Sequence, residues 1–425
     1  MTMVWLLGGL FLLLAIRVPV SFALLLPSMV YVGLEPRISL GVAMQRAAAL
    51  LDSFPLLAVP LFILVGYVAN AAGLADRLIR ALLALLGRVK GSLAYVNLNA
   101  SLVFSWMSGS AMADAAAMGS VLVPAMRRNG YDPAFAAAIT GAASMLGPVM
   151  PPSVGAVVYA VLTGTSIAAL FAAGVLPALL IFLSLAVYVF FYVRRRQGLT
   201  VERLSPREAL RACVAAIPIL FAPVLLLGGI LGGIFTPTEA SGITVAYLIL
   251  MSLAAGWLSL PRLYLAFRES AVTTGRVMLI AAAGGLFSYV LSRENVPAQI
   301  ADFLQGISTD PYVFLLLLNV ILLIIGTVLE PAAGMLITVP VFFPIAVEYG
   351  IDPVQLGVIV VFNLSIGLLT PPIGLVLVVL SSVGNVPPRD VMRATWPLMI
   401  PLVIALLLIT YVPWLTAILP RLVGY

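Results

Sequence analysis

"LGPVMPPS", Leu146–Ser153, sets three prolines inside a stretch that is otherwise almost continuously apolar. Residues 134 to 172 around it are too many for one crossing, because an unbroken helix rising about 1.5 Å per residue would overshoot a hydrocarbon core about 30 Å thick. The segment must be interrupted. Pro151 and Pro152 remove amide donors and push the residues before them out of helical conformation, which frees backbone carbonyls. Residues 354 to 384 repeat the situation, with "GLLTPPIG" placing Pro371 and Pro372 in a second overlong apolar run. In hydrocarbon an unpaired carbonyl costs several kcal/mol, so such backbone persists only where it is buried in protein or faces a polar occupant.

Composition supports a membrane setting. The chain has 425 residues, 63% hydrophobic and 9% charged, with a mean hydropathy of +1.18; this is the profile of a polytopic membrane protein. The net charge of +6 comes from basic residues scattered singly or in groups of two or three between apolar runs. That pattern is cytoplasmic loop chemistry and offers no face for nucleic acid. One cysteine, Cys213, and no histidine exclude disulfide scaffolds, zinc or haem ligation and histidine-based catalysis, so only hard cations remain as metal candidates. The opening "MTMVWLLGGLFLLLAI" lacks a basic leader and reads as a first spanning helix of the mature chain.

Spanning-length apolar runs lie at 3–16, 18–34, 55–73, 173–193, 212–234, 239–257, 270–291 and 397–418. Segments 91–126 and 312–347 carry "SWMSGSAMAD" and "IGTVLEPAAG" near their middles and read as re-entrant hairpins. Pro124 and Pro344, Gly130 and Gly350, Asp132 and Asp352, Gly147 and Gly367, and Pro151 and Pro371 are each 220 residues apart (344 − 124 = 371 − 151), an ungapped internal repeat. Arg88, Lys90, Arg127 and Arg128 bracket the first hairpin, whereas Asp302, Asp310, Glu348 and Asp352 bracket the second. By the positive-inside rule the first opens inward and the second outward, giving repeats of opposite topology.

The expected layout is all-α: scaffold helices over 1–74, an amphipathic arm at 75–90, and a first repeat at 91–196 with broken helix 134–172 and return helix 173–193. Further scaffold helices follow at 207–258, then an interfacial arm at 259–269, a second repeat at 270–390 and a C-terminal helix at 391–425. The stretch after Arg37, "RISLGVAMQRAAALLDS", reads equally well as a surface helix or as part of a span.

Secondary transporters use broken helices and hairpin tips near the midplane to hold ions and substrate. Ser108, Ser110, Ser144 and Ser153 can complete an oxygen shell for a small cation such as Na⁺. Gly326, Asn363, Gly367 and Thr370 hold comparable places in the second repeat. Small residues of this kind also serve close helix packing, which explains any one of the serines as well as ligation does. Asp114 costs at least about 2.5 kcal/mol in a hairpin arm unless paired or solvated, and Glu330 faces the same argument. An Arg293 fork can hold a substrate carboxylate, or anchor at the headgroups. Glu239, after Thr236 and Pro237, reads chiefly as a helix cap, and Cys213 as apolar filler.

The motifs "GSLAYVNLNASLVFSWMSGSAMADAAAMGSVLVPAM", "MLGPVMPPS", "GGIFTPTEAS", "LSRENVP" and "GIDPVQLGVIVVFNLSIGLLTPPIG", in that order over nearly the whole chain, resemble the large, DctM-like membrane subunit of tripartite ATP-independent periplasmic (TRAP) transporters. The resemblance implies an elevator-type secondary transporter of the bacterial inner membrane. Its coupling ion would be Na⁺ and its cargo an organic acid such as a C4-dicarboxylate or sialic acid. A DctP-like periplasmic binding protein would deliver that acid, and a small four-helix DctQ-like subunit, expected as a separate chain, would complete the scaffold. It implies one Na⁺ site from Ser108, Gly109, Ser110, Asp114, Ser144, Gly147, Pro148 and Ser153, and another from the second hairpin (Gly326, Glu330) with Asn363, Gly367 and Thr370. Arg293 and Glu330, with Ser108 and Ser153, would face substrate; Glu330 stands where the family pattern leads one to expect aspartate. Other readings are a stand-alone dicarboxylate:sodium symporter, a channel, or an intramembrane hydrolase. The hydrolase lacks an evident base, since Lys90, the sole lysine, lies in a predicted cytoplasmic flank.

Overall fold

The architecture is taken from a computed structural model that describes residues 2–199, 204–371 and 374–425, with side chains from Trp5 onward. Every regular element among these residues is helical. The N-terminal part contains α1 (Thr2–Ala15), α2 (Val20–Leu34), α3 (Leu40–Ala49), α4 (Ala58–Ala71) and the amphipathic α5 (Leu74–Leu86). The first repeat contains α6 (Ser92–Ser108), α7 (Ala111–Arg128), α8 (Pro133–Ser144), the single turn α9 (Leu146–Val149), α10 (Val154–Thr163) and α11 (Ile167–Arg195). Then come α12 (Pro206–Leu231), α13 (Pro237–Ala254) and α14 (Leu260–Arg293). The second repeat contains α15 (Val296–Ile307), α16 (Pro311–Val328), α17 (Pro331–Glu348), α18 (Pro353–Gly367), α19 (Leu375–Gly384) and α20 (Pro388–Tyr411), before the terminal α21 (Trp414–Val423). Nine helical segments among the described residues are long and apolar enough to cross a membrane.

The repeat is written into the helix ends. α7 and α17 start and stop 220 residues apart, as do the ends of α6 and α16 and the starts of α8 and α18. Asp132 and Asp352 each cap the helix that follows, accepting from Ala134 N and Val354 N at 2.9 Å, and each is followed by proline at the first helical position. Both devices suit a helix start: the carboxylate satisfies orphan amides and proline has none to lose. Hairpin α6–α7 turns at Gly109, whose φ of +59° is the left-handed region that glycine reaches without strain.

Four boundaries differ from the sequence-based layout. The first broken helix ends at Thr163, not 172, because Gly164 (φ +72°) terminates it and Ser166 caps α11, accepting from Ala169 N at 3.3 Å. The return helix is therefore Ile167–Arg195 instead of 173–193. The arm expected at 259–269 is continuous with the span after it, since after Pro261 in its first turn no proline interrupts α14. The C-terminal helix begins at Pro388 and breaks at Val412–Pro413, and α21 then packs on α11. In the second break Pro371 is described, while Pro372 lies outside the described residues.

The two repeats interlock. The second half of the first broken helix, α10, packs on α17 and α18 of the other repeat, and α19 packs on α7 and α8. Glycines permit these approaches. A Cβ on Gly155 would press on Met335 and Val361 at 3.3 Å, and one on Gly141 would sit 2.8 Å from Leu369 and Leu380. Tyr159 Oη donates to Pro353 O at 2.7 Å, tying α10 to the start of α18. Outside this unit α14 packs along α2, α3, α4 and α17, and Tyr67 on α4 meets Thr273 on α14 at 2.8 Å.

Candidate functional site

The first hairpin tip meets the first break. Gly109 sits so close to the break that a Cβ there would lie 2.6 Å from Pro152 O. Asp114, one turn into α7, is fully buried. Its Oδ1 accepts a hydrogen bond from Ser108 Oγ, and its Oδ2 has no partner among the described residues. Gly147 leaves room for that oxygen, since a Cβ on it would stand 2.5 Å from Oδ2. Ser110 caps α7, accepting from Ala113 N at 3.5 Å. Ser153 caps α10, accepting from Ala156 N at 3.0 Å and donating to Pro148 O. Ser144 Oγ donates back to Gly141 O at 2.8 Å. The structure thus brings Ser108, Gly109, Ser110, Asp114, Gly147, Pro148 and Ser153 together, with Ser144 a step away in the last turn of α8. A buried carboxylate oxygen without a partner is costly. The oxygens gathered there, the free Oδ2 of Asp114 and the Ser108 and Ser153 hydroxyls, are of the hard kind that a hard cation takes.

The second tip meets the second break through a close backbone contact. A Cβ on Gly326 would lie 2.7 Å from Leu364 O, and one on Gly367 would overlap Gly326. Thr370 Oγ1 donates to Ile366 O at 2.9 Å. Asn363 is engaged away from the break: its Nδ2 donates to Asn319 Oδ1 at 2.6 Å and to Asn319 O at 3.1 Å, joining α18 to α16. Asn319 in turn donates to Thr410 Oγ1 on α20 at 3.1 Å. Of the Asn363 amide, Oδ1 is the atom without a partner among the described residues. The first repeat carries a comparable clamp, in which Asn97 Nδ2 donates to Thr140 Oγ1 at 2.7 Å and joins α6 to α8. Polar residues in apolar hairpin arms were the available sequence signal for both clamps, but nothing in the sequence pairs Asn319 with Asn363.

Glu330 occupies the cap position of α17, makes no capping bond and is exposed. The charge acting on it is that of Arg276 on α14. Arg293 lies seventeen residues beyond Arg276 on the same helix, about 25 Å of helix rise. There its guanidinium engages Tyr31 and Tyr289, while Tyr31 Oη donates to the neighbouring Glu294 at 2.5 Å. Arg276 is thus the arginine whose charge reaches Glu330, while Arg293 engages the tyrosines further along α14. Glu239 forms a capping box with Thr236, accepting from its amide and hydroxyl, both at 2.9 Å.

Comparison with known proteins places this geometry. The family described as tripartite ATP-independent periplasmic transporter, DctM component, matches residues 7–415. The chain is 40% identical over 409 residues to the sialic acid TRAP transporter large permease protein of Vibrio cholerae, covering 96% of each. It is 40% identical over 377 residues to the C4-dicarboxylate TRAP transporter large permease protein of Pseudomonas aeruginosa, covering 88% of each. Among solved structures, the Alcanivorax borkumensis YdaH transporter superposes with a TM-score of 0.64 at 16% identity, over 97% of this chain and 99% of that one, a likeness of fold. The hairpins, the interlocked breaks and these matches together show that the chain is no enzyme: it belongs to the DctM-component family of TRAP transporters.

Proposed function

We propose that this chain is the membrane-embedded carrier of a sodium-driven importer for an organic acid, working in the bacterial inner membrane with a DctQ-like four-helix subunit and a DctP-like periplasmic binding protein. The observation that carries the reading is the unpartnered, buried carboxylate oxygen of Asp114 where hairpin tip and break meet. The relatives named above carry sialic acid and C4-dicarboxylates by name, and another, 37% identical over 95% of this chain, is named for isethionate. All three cargoes are organic anions, so a bound cation would offset their charge.

Sodium is the carrier's second cargo. Ser108, Asp114, Ser153 and the carbonyls of the first break would receive it, and the Gly326–Gly367 junction with Thr370 is the corresponding place in the other repeat. The interlocked repeats form one body around both junctions, and α4 and α14 flank it. Gly66 on α4 lies against Ser108 at one tip, and Arg276 on α14 acts on Glu330 at the other. Sliding of that body along α4 and α14 would carry both junctions together, an elevator. By linkage, acid and sodium tighten one another by the same factor.

The test is isotope uptake into vesicles holding the chain with its small subunit and acid-loaded binding protein. Replacing external sodium by potassium is expected to lower uptake to background. Undiminished uptake in potassium rejects the coupling, and equal uptake without binding protein favours a stand-alone symporter.

A further inference from the structure

A cavity of about 490 Å³, with none of the hairpin-tip or break residues named above in its lining, lies between α3 and α14 on one side and α17 with Leu162 of α10 on the other. Its α14 wall is a single helical stripe, Gly285, Ser288, Tyr289 and Ser292, at the spacing that puts residues on one face. Gly285 allows α3 to come close, since a Cβ there would lie 3.1 Å from Arg46 O. That approach sets the Arg46 guanidinium 5.0 Å from the centroid of the Tyr289 ring. The opposite wall is apolar, with Pro340 and Phe343 of α17. No aspartate or glutamate lines the cavity among the described residues. In the orientation given by the basic flanks, this is the outer end of α14.

These features have a direction. A guanidinium stacked on an aromatic face keeps its donors free at the edge of its plane, and those donors match a carboxylate or sulfonate. The hydroxyls of Ser288, Tyr289 and Ser292 add donors on the same side, and the proline and phenylalanine wall suits a carbon skeleton. The volume lies within the range of small-molecule pockets.

We infer that this cavity is an outer anion-binding vestibule, in which Arg46 takes the carboxylate or sulfonate of a small organic acid before it reaches the hairpin junctions. The inference rests on the proposed transport of organic acids for the identity of its ligand. Because one wall is the second hairpin and the other is α3 with α14, the vestibule is complete only while α17 stands opposite the outer half of α14. Occupancy therefore favours that arrangement. No carboxylate faces the cavity to hold a cation, so binding here needs no sodium.

The experiment uses the full-length chain in phosphatidylcholine nanodiscs in sodium-free buffer, with succinate, N-acetylneuraminate and isethionate as probes. The apparent Kd is read from the rise in unfolding temperature with probe concentration. At least one probe is expected to stabilise the wild type. Arg46→Ala is expected to weaken that probe about tenfold or more, as loss of charged hydrogen bonds does, and Arg46→Lys less. Unfolding temperatures without probe report whether each variant is folded. A wild type indifferent to all three probes, or an Arg46→Ala chain with unchanged Kd, overturns the vestibule. So does stabilisation that appears only with phosphatidylglycerol present, which would make the ligand a lipid headgroup. Sodium-independent uptake in the vesicle assay would instead fault the transport reading and leave this binding result standing.

Discussion

Asp114→Asn is expected to abolish sodium-driven uptake while leaving the chain folded. The amide keeps the size of the side chain and an acceptor for Ser108 Oγ, the partner of Asp114 Oδ1, but removes the charge that would hold a cation. A carboxylate and a monovalent cation about 4 Å apart at an effective dielectric near 20 attract by about 4 kcal/mol, so the sodium requirement should rise roughly a thousandfold. Two measurements check this: the sodium concentration giving half-maximal uptake, and the dependence of unfolding temperature on sodium. The wild type should be stabilised by sodium and the variant should not. Normal sodium dependence in the variant would leave Asp114 a structural acceptor only.

The second large effect is steric. Gly367→Ala puts a methyl group into the backbone of Gly326, and neither partner has a side chain that can turn away. Overpacking of this kind costs about 1–3 kcal/mol when side chains can adjust; here relief requires hairpin and broken helix to separate, so the upper end of that range is expected, with uptake lost. Gly306→Ala is the control, since nothing lies within 4 Å of its Cβ position. Unfolding temperature and uptake, measured on both, decide the matter: if the two variants behave alike, the glycine contact has no mechanical role.

The part of this fold legible in the sequence is the part set by local chemistry. Asp-Pro pairs announce the starts of α8 and α18, and paired prolines announce breaks, because both act on the backbone within a few residues. The all-α, inverted-repeat class follows from them and from the charge flanks. Weaker punctuation was missed. Gly164 and Ser166 end one helix and begin the next inside an apolar run that reads as continuous. The arginines show a different limit. Helical spacing tells which face of α14 Arg276 and Arg293 occupy, but not which neighbour that face meets, so the arginine beside a recognisable motif was preferred to the one that acts on Glu330. Arg46 carried no signal at all: its setting arises from Gly285 on a helix more than two hundred residues later.

The interlocking of α10 with α17 and α18 bears on how the chain is made. When the ribosome has delivered α1 to α7 and the first broken helix, the Gly155 face has nothing to close upon. It waits in the bilayer, beside the translocon or a membrane chaperone, until α17 is inserted. Biogenesis therefore finishes late, and a nascent chain stopped between the two halves offers quality-control proteases an open seam instead of a half-sized working carrier.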